Sequence, residues 1–192
     1  MNLALKTKTI GLFGTCGGSR WREPFIAAYD AHGIASFNPQ VDNWTPELAD
    51  VEAWHLANDQ LILFPITSET FAFGSLAETG FSVQSALSLN ANRFVVLYIE
   101  PDVSESLKAQ SPEQADASRR ARKLAMAHLA KVTNPNVFVA TSLPDMLKKS
   151  LQLYAVLEML EAVRETNPDW RSTMTPESWL KIIHNASEVA LA

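Results

Sequence analysis

Five short apolar runs alternate with longer amphipathic stretches between residues 9 and 165, and this order constrains the fold more than any other feature. The runs cover residues 9–13 (TIGLF), 34–37, 60–66 (QLILFPI), 93–99 (RFVVLYI) and 137–140. Each is too short for a helix and is bounded by Gly, Asn or Pro, so each reads as a buried strand. The stretches between them predict helices over residues 21–32, 46–58, 75–89, 113–131 and 143–165. Gly33 stops the first helix, and Thr45-Pro46-Glu47 starts the second with an N-cap residue followed by proline. Thr175-Pro176-Glu177 repeats that start signature for a last short helix. Apolar strands alternating with helices imply a parallel sheet covered on both faces. The expected class is α/β: a doubly wound, five-stranded parallel sheet of the flavodoxin or Rossmann kind, with a C-terminal helical appendage. The expected division is residues 1–165 for the α/β domain and 166–192 for the appendage. In such sheets ligands sit beyond the carboxyl ends of the strands, which selects the loops after residues 13, 37, 66 and 99.

The charges point to the same half of the chain. The net charge is −5, which argues against a general nucleic-acid binder or a binder of anionic membranes. Between Arg22 and Arg93 there is no Lys or Arg, and that stretch carries nine acids. The remainder has sixteen cations and twelve acids, a net +4. All seven glycines also lie in the first 80 residues. No apolar run reaches the length of a membrane span, and residues 1–8 lack a signal peptide's apolar core. With a single cysteine, Cys16, an internal disulfide is excluded. The expectation is a cytoplasmic protein that uses no metal or other cofactor.

Three loops carry the polar chemistry. The first, Gly14-Thr15-Cys16-Gly17-Gly18-Ser19-Arg20, joins a strand to a helix, so its N–H groups face any ligand there. It spells neither a P-loop nor G-x-G-x-x-G, so it indicates a polar ligand rather than a named cofactor. Cys16 is a candidate nucleophile, although no histidine pairs with it in sequence. The second loop opens with Asn38 and holds Asp42 and Asn43, which suit sugar hydroxyls, and Trp44, which suits a base ring. It also reads as a plain turn into a helix cap. The third loop offers hydroxyls, Glu69, Phe71 and Phe73, then Gly74-Ser75-Leu76-Ala77-Glu78-Thr79-Gly80. Ser75-x-x-Glu78 fits a capping box, and Glu78 equally fits a carboxylate placed at a ligand. A carboxylate beside a sugar serves glycosyl transfer as nucleophile or as stabiliser of an oxocarbenium-like centre.

The helix over 46–58 adds Glu52, His55 and, at its end, Asp59, spaced i, i+3, i+7 on one face. They read as an acid/base set, a metal half-site or a solvated face. Trp54, on the neighbouring face, reads as core. No further metal ligands declare themselves around the set.

The motifs also occur in a familiar order. Ile10-Gly-Leu-Phe-Gly-Thr-Cys-Gly-Gly-Ser19, Trp21-Arg22-Glu23, Phe37-Asn-Pro-Gln-Val-Asp-Asn-Trp-Thr-Pro46, Ala57-Asn-Asp-Gln-Leu-Ile-Leu63 and Gly74-Ser-Leu-Ala-Glu-Thr-Gly80 follow one another. Together they resemble the nucleoside 2-deoxyribosyltransferase-like proteins over roughly residues 9–100. The resemblance implies that Glu78 attacks the anomeric carbon of a nucleoside, forming a glycosyl-enzyme ester that a second base or water then releases. It implies an acid near Glu52 or Asp50, and it matches Asp59 to the aspartate preceding the family's third strand. Where the transferases carry an aspartate shortly before the nucleophile, this chain has Ala72, with Glu69 a little earlier. The resemblance further implies a homo-oligomer, for which an apolar stripe on residues 143–165 is either an interface or core.

The expected catalytic residues are therefore Glu78, Asp59 and Glu52. The expected substrate contacts are Gly14, Thr15, Cys16, Gly17, Arg20, Asn38, Asp42, Trp44, Glu69, Phe73, Gly74 and Ser75. The expected partner is a small nucleoside or nucleotide, the neutral nucleoside being favoured by the acidic wall. The alternative is a non-catalytic sensor of the same fold, or a scaffold in which Glu78 only caps a helix.

Overall fold

The computed structural model describes residues 8–43, 45–89 and 93–167. Trp44 and the expected last helix after residue 175 lie outside the described residues. The elements follow the expected alternation: β1 (Thr9–Leu12), α1 (Arg22–Ala31), β2 (Ala35–Phe37), α2 (Pro46–Asn58), β3 (Leu61–Ile66), α3 (Phe73–Leu89), β4 (Phe94–Ile99), α4 (Glu105–Gln110), α5 (Pro112–Leu129), β5 (Val137–Val139) and α6 (Leu143–Thr166). The five strands form one sheet in the order β2-β1-β3-β4-β5. Every pair is parallel. This is the flavodoxin-like doubly wound order, whose switch point lies between β1 and β3.

Burial explains why short apolar runs sufficed to mark the strands. All six residues of β3 are buried, because helices cover both of its faces. Ile10, Leu12, Leu61, Leu63, Phe94 and Val96 turn to one face and pack with α1 and α6. Ile62, Phe64, Val95, Leu97 and Ile99 turn to the other, under α2, α3 and α5. The stripe on α6 is thus core: Met146, Leu153, Val156 and Leu160 are buried against the first face. Among the described residues, no helix is long and apolar enough to cross a membrane.

Three details depart from the sequence expectation. The short helix α4 precedes α5 and was not expected. Trp54 is 59% exposed, so it is not core; α2 buries none of its residues fully and turns Trp54 outward. Helix α3 begins at Phe73, two residues before the expected start. Ala72 precedes it at φ +53°, and its carbonyl accepts the N–H of Leu76 at 2.8 Å. Ser75 is consequently inside the helix, where its carbonyl accepts the Thr79 hydroxyl at 2.7 Å. With Ser75 in helical conformation, the capping box does not form.

Candidate active site at the switch point

A cavity of about 480 Å³ opens above the carboxyl ends of β1 and β2. Its floor is the first loop, through Phe13, Gly14, Cys16 and Gly17; the second loop adds residues 39–42, including Asp42. Gly74, Ser75 and Glu78 of α3 and Glu52 of α2 close the remaining side. Eight of the expected site residues therefore share one hollow: Gly14, Cys16, Gly17, Asp42, Glu52, Gly74, Ser75 and Glu78. Among the described residues, its lining contains no Lys or Arg.

The floor is built by close backbone approach. Gly14 has φ +95°, and a Cβ there would lie 2.4 Å from the carbonyl oxygen of Pro65. Only glycine fits. The next residue, Thr15, clips this loop to the end of β3. Its N–H and hydroxyl both donate to Pro65 O, at 2.9 and 3.2 Å, and its Oγ1 accepts the Thr67 N–H at 3.0 Å. Thr15 is buried and does not reach the cavity, so the expected substrate contact is a structural clip.

Arg22 and Gln40 tie the first loop to the second, and sequence reasoning gave neither this role. Arg22, only 2% exposed, donates Nε to Leu12 O at 2.8 Å and Nη1 to Thr15 O at 2.7 Å and to Gln40 Oε1 at 2.9 Å. Its Nη2 donates to Cys16 Sγ at 3.3 Å. Burial lowers its pKa, an effect opposed by Cys16 and Glu52. Gln40 Nε2 in turn donates to Gly17 O at 2.6 Å. The plain signal in the sequence was an arginine opening a helix after a glycine-rich loop; its carbonyl partners come from the fold.

Two carboxylates dominate the electrostatics. Much of Glu78 is reachable by solvent, yet enough protein surrounds its carboxyl to raise its pKa, and the Glu52 carboxylate raises it further. The two side chains thus face one hollow, and the charge on Glu52 opposes ionisation of Glu78.

The other expected residues are placed elsewhere. Asp59 lies at the opposite, amino-terminal edge of β3 and is 1% exposed. Its carboxylate accepts from His55 Nδ1 at 2.9 and 3.1 Å, and Gly11 makes room for it: a Cβ there would lie 2.8 Å from Oδ2. Burial raises the Asp59 pKa, against His55 and Arg93. The His55 ring stacks on Phe37 with centroids 3.6 Å apart. This sealed pair does not line the cavity.

Glu69 is likewise engaged: it accepts from the hydroxyls of Ser19 and, at 3.1 Å, Thr67, and from the Arg20 N–H at 3.3 Å. It therefore fastens the third loop to the first. Arg20 and Asn38 line a neighbouring hollow of about 370 Å³ that shares Gly17, Gln40 and Asp42 with the cavity. The Arg20 guanidinium is exposed and paired with Glu23 at 2.7 Å. Phe73 faces away, into an apolar groove between α3 and α5. Among the described residues, no group of three or more His, Cys, Asp or Glu side chains is placed to hold a metal ion.

The third loop owes its shape to α5. Arg122, fully buried, donates to the carbonyls of Thr67 at 2.8 Å, Thr70 at 3.0 Å and Glu100 at 3.0 Å. Its Nε donates to Ser118, whose hydroxyl donates to Phe71 O at 2.8 Å. These bonds hold the approach to Ala72, and so the start of the helix that bears Glu78.

Comparison with known proteins adds no relative: no protein-family model matches the chain, and no curated protein matches it.

Proposed function

We propose that the protein cleaves or transfers the N-glycosidic bond of a nucleoside, with Glu78 as nucleophile. The reading rests on one observation above all. Glu78 and Glu52 face the same hollow, whose described lining holds no Lys or Arg, at the switch point of a flavodoxin-like sheet. The order of motifs that resembles the nucleoside 2-deoxyribosyltransferase-like proteins supports it from the sequence side.

In the first step a Glu78 carboxylate oxygen bonds to the anomeric carbon. The carbon–nitrogen bond breaks, and its electron pair leaves with the base, which takes a proton from Glu52. In the second step water or another base attacks the same carbon and gives its proton to Glu52, and the ester bond to Glu78 breaks, restoring the Glu78 carboxylate and the Glu52 acid. Positive charge develops on the sugar in both steps, and a wall holding Asp42, Glu52 and Glu78 without a cation stabilises it. The same wall favours a neutral nucleoside over its 5′-monophosphate. Arg22 spends its donors on Leu12, Thr15, Gln40 and Cys16.

The test is incubation with a panel of ribo- and deoxynucleosides and their monophosphates, with and without a second base, read by chromatography. The expected result is base release or exchange from a nucleoside, and a covalent adduct on Glu78 with a 2-fluoro-arabinosyl nucleoside. Ligand-induced stabilisation without turnover would favour a non-catalytic sensor. Faster turnover of the monophosphates would reverse the substrate preference.

A further inference from the structure

A second hollow lies on the other side of α3. It is an apolar groove of about 700 Å³ between α3 and α5, floored by Leu97 and Ile99 of β4. Leu76, Val83 and Leu87 form one wall, and Leu124 and Leu129 the other. Phe73 is 46% exposed and Leu124 62%, so the described residues leave large side chains uncovered along it. An apolar groove with uncovered aromatic and aliphatic side chains is a candidate contact site.

The fold brings the remaining chain to the mouth of this groove. Lys8, just before β1, pairs with Glu158 and Glu161 at 3.0 and 2.6 Å, which puts the far end of α6 at the amino-terminal edge of the sheet. All strands are parallel, so the start of β5 lies at that same edge. Val132 and Asn134, which line the groove, lead directly into β5. Strand β1, beside which α6 ends, is two places from β4, which floors the groove, so a chain leaving α6 at this edge reaches the groove by passing beneath the strand starts. Residues 167–175 span up to about 30 Å at roughly 3.3 Å each, against two layer spacings of roughly 10 Å to be crossed.

The segment beyond has the matching form. From Pro176 onward, Trp179, Ile182, Ile183, Ala186 and Ala190 recur at i, i+3, i+4, i+7 and i+11, with Glu177, Lys181, His184 and Glu188 between them. A helix over 176–191 would be about 24 Å long, and the groove follows α3 from Phe73 to Leu87, about 21 Å at 1.5 Å per residue. We propose that the segment 175–191 of the same chain packs its Trp179, Ile182 and Ile183 face into the α3–α5 groove.

The full-length chain with Cys16→Ser, Leu124→Cys and Ile183→Cys tests this under mild oxidation. The expected result is an intrachain disulfide, mapped by peptide mass on the monomer band. It should form much faster than in a control pairing Asp30→Cys, on the opposite face, with Ile183→Cys. Equal rates for the two pairs would overturn the proposal. A disulfide formed only between chains would also overturn it and give the groove to a second copy. In parallel, full-length Trp179→Glu/Ile183→Glu should bind an apolar fluorescent dye severalfold more than the parent, with the helical signal of the core kept. An unchanged dye signal would count against the proposal even if a disulfide forms.

Discussion

Glu52 of helix α2 and Asp59, the residue that follows the helix, have opposite fates. Glu52 faces the cavity with Glu78, while Asp59, about 10 Å further along the helix axis at 1.5 Å per residue, is sealed beneath β1 with His55 as its partner. By sequence they belong to one helical face. The difference is made by position along the sheet: one acid stands near the carboxyl ends of the strands, the other at their amino ends. Asp59 is buried away from any hollow and stabilises structure; Glu52 meets a second carboxylate across a hollow that a ligand can enter.

The sharpest way to break this comparison is at the cavity. Glu78→Ala should lower base release on the order of 10⁴-fold or more, as loss of a nucleophile does, with the melting temperature little changed. Activity measured on the panel above checks it. Glu52→Gln should cost roughly 10²-fold or more in rate through loss of proton transfer. Gln keeps the size of the side chain but has no acidic proton, so the loss should be largest for bases that need a proton to leave and smallest for bases that leave without one. An equal loss for every leaving base would take the proton transfer away from Glu52.

Asp59 should respond in the opposite currency. Asp59→Ala should destabilise by roughly 2 kcal/mol, because a buried charge-assisted hydrogen bond is lost, while activity per folded molecule is retained. Asp59→Asn, which keeps an acceptor for His55, should cost less. Denaturant unfolding beside specific activity separates these effects, and a large fall in activity at unchanged stability would return Asp59 to the site. The smallest effect belongs to Trp54. Being mostly exposed, Trp54→Ala should change stability by no more than about 0.5 kcal/mol.

The fold was legible because a strand buried on both faces must be apolar throughout, and β3 and β4 announce themselves that way. The loops of the site were legible because the parallel topology says where they gather. Helical periodicity could not separate Glu52 from Asp59, since it reports a face and not which edge of the sheet that face meets. Ser75-x-x-Glu78 looked like a cap because the left-handed turn at Ala72, which starts α3 early, has no glycine to signal it. The parts played by Arg22, Gln40 and Arg122 were invisible for another reason. Their partners are mostly backbone carbonyls, and a carbonyl's availability is decided by tertiary structure, not by residue type.

Arg122 has a consequence for how the molecule is made. It grips the carbonyl of Thr67 from 55 positions further along the chain. At about 5–20 residues per second, a ribosome delivers that arginine roughly 3–10 s after the loop it organises. During synthesis β1, β2 and β3 can meet, but the turn that aims Glu78 must wait for α5. The site is thus among the last features to mature on the nascent chain, because the carbonyls of Thr67 and Thr70 wait for their partner even after Thr15 and Ser19 have fastened the start of the loop.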